Sequence, residues 1–190
     1  MSQKQRVKYT LDSGETHILA ENEIKIILRA ADELINNGGR SMLAKILKGS
    51  KDKKVLEYHL DRCPSYGFYK ELTIEEITNR IDLLVKTHYL KIEYNGRLPM
   101  LVFTEQGWEI ERETFAEELY RRFSEGADKN TGNIIFEMKD VNRSVVFDVL
   151  EKMRNSGNAE FIVLLEAWKI IEVRKVRDRI NSVINSLSEK

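Results

Sequence analysis

The stretch ILKGSKDKKVLEYHLDRCPSYG, Ile46 to Gly67, decides the fold. Ile46 and Leu47 close one apolar helical run, and Gly49 stops it. Ser50 then stands where a helix N-cap belongs, and a third helix is predicted to run to about Arg62, before Pro64 and Gly67 break the chain. Charge is concentrated here. From Arg40 to Lys54, the cations Arg40, Lys45, Lys48, Lys51, Lys53 and Lys54 face a single acid, Asp52, in a chain whose 31 basic and 31 acidic side chains cancel. The first turn of a helix leaves backbone N–H groups unpaired at the positive end of its dipole, and such an end attracts anions. Gly49 permits close backbone approach, Ser50 offers a hydroxyl, and Lys51 and Lys54, three apart, share a face. These residues read as a phosphate cradle. The same run also reads as a solvated, lysine-rich helix start.

Upstream, residues 1–20 are polar and weakly patterned and are predicted to form a flexible arm. Ile24, Ile27, Leu28, Ala31 and Ile35 recur at helical spacing, with Asn22 as a cap and Gly38-Gly39 as a stop; RSMLAKILKG follows as a short second helix. Downstream, Thr73 and Glu76 form a capping box ahead of an apolar stripe of Ile74, Ile77, Ile81, Leu84 and Val85. YLKIEY alternates at period two, Asn95-Gly96 signals a tight turn, and MLVFT returns as a second strand, with Pro99 placing its entry at an edge. Four helices and a hairpin, closed by FTEQG, define a winged helix over residues 21–112. The class is mainly α with a small β wing.

Residues 113–190 carry only helical patterns. FAEELYRRF reads as one short helix and SEGADKNTGN as a loop. RSVVFDVLEKMRNSG and the longer AEFIVLLEAWKIIEVRKVRDRINSVINSL form an α-helical hairpin whose second arm breaks near Arg174. Val176, Ile180, Val183, Ile184 and Leu187 extend an apolar stripe past the reach of the first arm. That stripe is predicted to overhang and to contact a protein partner or a second copy.

Composition narrows the function classes. With 42% apolar and 33% charged residues the chain suits a soluble, helix-rich fold. No run approaches the roughly 18 apolar residues of a membrane span, and the N-terminus shows no secretory h-region, so a cytoplasmic location is expected. The single cysteine, Cys63, excludes an intrachain disulfide and a cysteine-rich zinc site; His17, His59 and His88 lack ligand spacing. Cys63 and His59 make no nucleophilic site without a third member. No Gly-x-x-x-x-Gly-Lys-Ser/Thr loop is present, so neither a cofactor nor an ATPase or other catalytic activity is expected. Trp108 and Trp168 are expected in the core. The helix at Thr73–Thr87 displays Glu75, Glu76, Asn79, Arg80, Asp82 and Lys86; three acids there oppose insertion into a DNA groove.

LKGSKDKKVLEYHLDRCPSYGFYKEL resembles the core of the RQC domain, the winged helix of RecQ-family DNA helicases. The resemblance rests on Leu47, Lys48, Gly49 and Ser50 followed by Tyr66, Gly67 and Lys70, and it spans about Glu23 to Arg112. It implies that Ser50 and the basic residue four positions on, Lys54, grip duplex phosphates, with Lys48, Gly49, Lys51, Lys53, Tyr66 and Lys70 around them. It further implies that the wing acts against a duplex end and that the recognition helix avoids the major groove. Two departures stand out. Tyr69 replaces the second glycine of the loop, changing its shape or offering a stacking ring. The wing tip, NGRLPM, has no aromatic residue, which leaves Arg97, Leu98 and Met100 as its contacts. The four-cysteine module and motor of those helicases have no counterpart here. The chain therefore reads as a motorless DNA-binding protein that holds duplex backbone at junctions or ends in repair or replication. Two alternatives stay open: a winged-helix transcription regulator with a dimerising tail, opposed by the acidic recognition helix, and a protein-binding adaptor, opposed by the cationic turn.

Overall fold

Amphipathic helices and one short hairpin make up the chain. The computed structural model describes residues 6–35, 37–125 and 131–189. Its elements run α1 (Glu21–Asp32), α2 (Arg40–Lys48), α3 (Lys53–Glu57), a 3-10 turn (Leu60–Arg62), α4 (Ile74–Lys86), β1 (Leu90–Asn95), β2 (Leu98–Phe103), α5 (Glu105–Glu125), α6 (Thr131–Glu137), α7 (Arg143–Ser156), α8 (Phe161–Ile171) and α9 (Arg174–Ser188). They fall into two compact units, Met1–Glu111 and Arg112–Lys190.

The first unit is a winged helix. Ile27, Leu28 and Ala31 of α1, Leu43, Ile46 and Leu47 of α2, and Ile77, Ile81 and Leu84 of α4 are fully or almost fully buried in one core. Leu90 and Leu101 bring the wing onto it. β1 and β2 pair antiparallel, Leu90 opposite Phe103 through Asn95 opposite Leu98, so the connecting turn holds only Gly96 and Arg97. On the other side of β2, the Leu101 N–H donates to the Gly38 carbonyl at 3.0 Å. A Cβ on Gly39 would stand 2.7 Å from the Pro99 carbonyl oxygen. The two glycines let the α1–α2 connection lie flat against the wing.

Several local expectations change. α1 starts two residues earlier than an Asn22 cap implies: Ala20 holds the N-cap position, and its N–H donates to Glu23 Oε2 at 3.1 Å. The capping box at α4 forms as read, with Thr73 N–H on Glu76 Oε2 at 2.7 Å and Glu76 N–H on Thr73 Oγ1 at 3.2 Å. The short helix read from FAEELYRRF is the end of a continuous 21-residue α5. The Thr104 hydroxyl starts that helix, accepting from the Gly107 N–H at 3.1 Å while donating to the His88 carbonyl at 2.5 Å. A Cβ at Gly107 would collide with the Tyr89 carbonyl oxygen at 1.9 Å.

The segment read as a flexible arm is bonded to the wing and to α4 over its described part. Val7 N–H donates to the Arg97 carbonyl (3.0 Å), Tyr94 O–H to the Val7 carbonyl (2.8 Å), and Asp12 N–H to Asp82 Oδ2 (2.8 Å). Residues 1–5 lie outside the described residues, as do residues 126–130 of the predicted loop.

In the second unit Phe123 of α5 stacks on Trp168 of α8 at 5.5 Å, and both are fully buried. Trp108, in the first unit, is half-buried beside Phe103. The long second arm breaks at Glu172–Val173, where the backbone turns extended, giving α8 and α9. α9 folds back and packs on both α7 and α8. The stripe predicted to overhang is therefore covered within the unit: Val176, Ile180, Val183, Ile184 and Leu187 are all buried, Ile180 completely. Its apolarity serves the core of this unit, and the argument from it to a partner or a second copy falls. Ile180→Ala is expected to lower stability by about 2–5 kcal/mol in a denaturant titration; an overhanging stripe would lose almost nothing.

Candidate nucleic-acid interface

α2 ends at Gly49, whose φ of +75° is left-handed and suits a residue without a Cβ. Gly49 N–H donates to the Ile46 carbonyl and Ser50 N–H to the Lys45 carbonyl, each at 2.9 Å. The Tyr66–Lys70 loop docks on this helix end. Gly67, also left-handed at φ +73°, donates its N–H to the same Ile46 carbonyl at 2.9 Å, and Tyr69 N–H reaches the Leu47 carbonyl at 2.8 Å. The glycines meet back to back: a Cβ on Gly49 would lie 3.0 Å from Gly67 Cα. Two side chains complete the junction, Tyr66 O–H on the Ser50 carbonyl (3.0 Å) and Lys48 Nζ on the Lys70 carbonyl (2.5 Å). The structure thus joins Lys48, Gly49, Ser50, Tyr66 and Lys70, residues that the sequence separates by up to 22 positions.

The helix-start cradle takes a different form from the one expected. Ser50 is not the N-cap. Asp52 is, accepting from Lys54 N–H at 3.0 Å, and α3 is five residues long and ends at Glu57. Its own carboxylate occupies the end of the dipole. Asp52 is also bound by Lys45 Nζ at 2.8 Å; that bond first, then the Lys54 N–H, holds its carboxyl below the usual range. Arg40 is likewise engaged, its guanidinium 2.5 Å from the buried Asp82 carboxylate. Two of the six cations are therefore answered by acids. Lys51, Lys53 and Lys54 are exposed and form no ion pair among the described residues. Ser50 Oγ accepts from Asp52 N–H at 3.2 Å, which leaves its O–H free to donate outward.

On α4, Glu75 and Glu76 face solvent, but Asp82 does not: it is 2% exposed and holds Arg40 and the Asp12 N–H. Glu76 is held below the usual carboxylate range by the Thr73 N–H and hydroxyl. Tyr69 offers no stacking ring. It is buried, its O–H donates to Glu23 Oε1 at 2.7 Å, and burial, then Glu23, pushes its phenol up. The ring on the surface of this loop is its neighbour Phe68, which packs edge-on against Tyr69. Cys63 is buried in the core of the first unit.

At the wing, Arg97 and Leu98 are exposed and Met100 is half-buried. Leu98, Met100 and Lys54 line one groove, together with Lys8 and Tyr9. The last two carry no signal in the sequence, because nothing in a polar N-terminal segment tells which surface it will bond to.

The first unit is thus a winged helix with exposed cations on the turn between α2 and α3 and acids on the exposed start of α4. The RQC domain model matches residues 19–129, more than half of the chain, and the chain belongs to that family. It is similar to the ATP-dependent DNA helicase RecQ of Bacillus subtilis (strain 168), 29% identical over 85 residues. That alignment covers 45% of this chain and 14% of the helicase, so the chain matches only a small part of that relative's length. No solved structure matches.

Gly49→Ala is expected to cost about 1–3 kcal/mol, because the left-handed backbone and the Gly67 contact both resist a Cβ. Thermal melts of the variant and of Gly67→Ala check this; an unchanged melting temperature in both would show that the junction is loose.

Proposed function

We propose that this chain grips the backbone of duplex DNA, at ends or junctions, through the turn Gly49–Lys54. The observation that carries the reading is the set of exposed ammonium groups of Lys51, Lys53 and Lys54 beside the Ser50 hydroxyl, on a turn that two glycines and the Ile46 carbonyl hold in place. Membership of the RQC family and similarity to a DNA helicase support it. Phosphates are recognised by such point charges and hydroxyls without regard to base sequence. Lys48, Tyr66 and Lys70 act from behind, fixing the turn to its supporting loop. Arg97, Leu98 and Met100 meet the duplex end at the wing. The exposed Glu75 and Glu76 keep α4 out of a groove whose rim is phosphate. Roles in repair or replication, and a cytoplasmic location, belong to the same proposal; among the described residues no helix is long and apolar enough to cross a membrane.

With about four phosphates neutralised, log K should fall against log salt with a slope near −3.6. Lys51→Ala/Lys54→Ala should weaken every duplex sequence alike and flatten that slope by about two. Electrophoretic shift with random duplex, forked duplex and single strand at two salt concentrations measures both; unchanged binding by the double variant would sink the proposal. Asp52→Asn keeps a capping side chain while removing the one acid of the turn and releasing Lys45. Duplex affinity should rise about two- to fivefold in that variant, whereas a purely structural lysine cluster would show no gain.

A further inference from the structure

A groove of about 550 Å³ runs along β2 of the wing. It falls within the roughly 300–1,000 Å³ of small-molecule sites. Leu98, Pro99 and Met100 of β2 line it, as do Ser41 of α2 and Lys54 of α3. Val7, Lys8 and Tyr9 line it too, from the N-terminal segment. That segment is held in place by the Val7–Arg97 and Tyr94–Val7 hydrogen bonds and by Arg40, whose guanidinium lies 5.4 Å from the Tyr9 ring centre.

The charged lining is entirely basic. Lys8, Arg40, Lys45 and Lys54 face the groove, and no carboxylate does. Arg40 and Lys45 are balanced by Asp82 and Asp52 behind them. Lys8 and Lys54 form no ion pair among the described residues. Apolar side chains, a tyrosine and two ammonium groups outside any ion pair suit a ligand that is flat and apolar in one part and anionic in another. A single nucleotide has that chemistry: its base lies on an aromatic or apolar platform and its phosphate meets a cation. A base pair with both backbones does not fit a space of this size.

Lys54 belongs both to this groove and to the duplex grip. We infer that the groove receives the unpaired terminal nucleotide of a strand whose duplex portion is held at Gly49–Lys54, with its phosphate between Lys8 and Lys54 and its base against Leu98 and Met100. The inference rests on the backbone-grip reading and adds to it a preference for single-stranded extensions and a role for the N-terminal segment.

Fluorescence anisotropy of the full chain tests it with a blunt duplex, the same duplex carrying a three-nucleotide extension at either the 3′ or the 5′ end, and an abasic version of each extension. A base-bearing extension of one polarity should bind about tenfold more tightly than the blunt end, the order of one stacked base, and the abasic extension should lose most of that gain. Lys8→Ala, at an exposed position, should reduce the gain, and Ser41→Trp, which fills the groove from an exposed position on α2, should abolish it; both should bind blunt duplex as before. Equal affinity for blunt and extended duplexes, or a gain that survives both substitutions or the abasic extension, overturns the groove and leaves the grip standing. Failure to bind any duplex overturns both.

Discussion

The back-to-back contact of Gly49 and Gly67 over a shared carbonyl is the constraint on which the surface of the first unit depends. Ile46 accepts from both glycine N–H groups, so the end of α2 and the Tyr66–Lys70 loop cannot move separately. Both glycines hold left-handed backbone, and a Cβ on Gly49 would press against the other glycine's Cα. The residues between them are then forced to bulge outward. Val55, Leu60 and Cys63 turn into the core, and the lysines are left on the outside. The Gly-Ser and Tyr-Gly elements therefore belong together for a mechanical reason, and the distance between them in sequence is the length of chain needed to leave α2 and return to it.

Charge is sorted by the same folding. Asp82 faces inward from α4 and is reached by Arg40 from α2 and by the Asp12 N–H from the N-terminal segment. A buried carboxylate is tolerable only with such partners. This ion pair also anchors the segment that lines the wing groove, since Arg40 donates to the Thr10 carbonyl at 3.0 Å as well. One buried acid thus ties three parts of the chain together, and it removes one cation from the surface.

The architecture of the first unit was legible because its signals are local. Helical spacing gave α1, α2 and α4, the Thr73–Glu76 box gave a start, and Asn95-Gly96 gave the hairpin turn. The second unit was legible as helices but not as a packing arrangement. Val176 to Leu187 announces an apolar face, yet no periodicity says whether that face meets α7 and α8 or another molecule. At the candidate site, the glycines that join the two loops are legible, while Ser50 reads as the cap that the structure gives to Asp52. Both residues are good caps, and choosing between them depends on where α3 begins, which tertiary contact sets. The positive charge of the run reads too high for a related reason: Asp52 lies within it, but the acid that answers Arg40 is 42 positions away.

A chain with no net charge can still present a cationic face, because screening confines the influence of an exposed charge to about 8–10 Å in physiological salt. What matters is the sign of the nearest neighbours. Lys48 lies close enough to Glu76 to contribute to lowering its pKa, so the acidic start of α4 borders the cationic turn. That border gives the surface an electrostatic edge, positive at Lys51, Lys53 and Lys54 and negative at the start of α4. The wing groove, with cations and no lining carboxylate, extends the positive side, and Lys54 is common to both. On the proposed reading a strand would run from the turn toward the wing and away from α4. The fold of an ordinary winged helix is thereby kept, while on that reading α4 would not meet the bases.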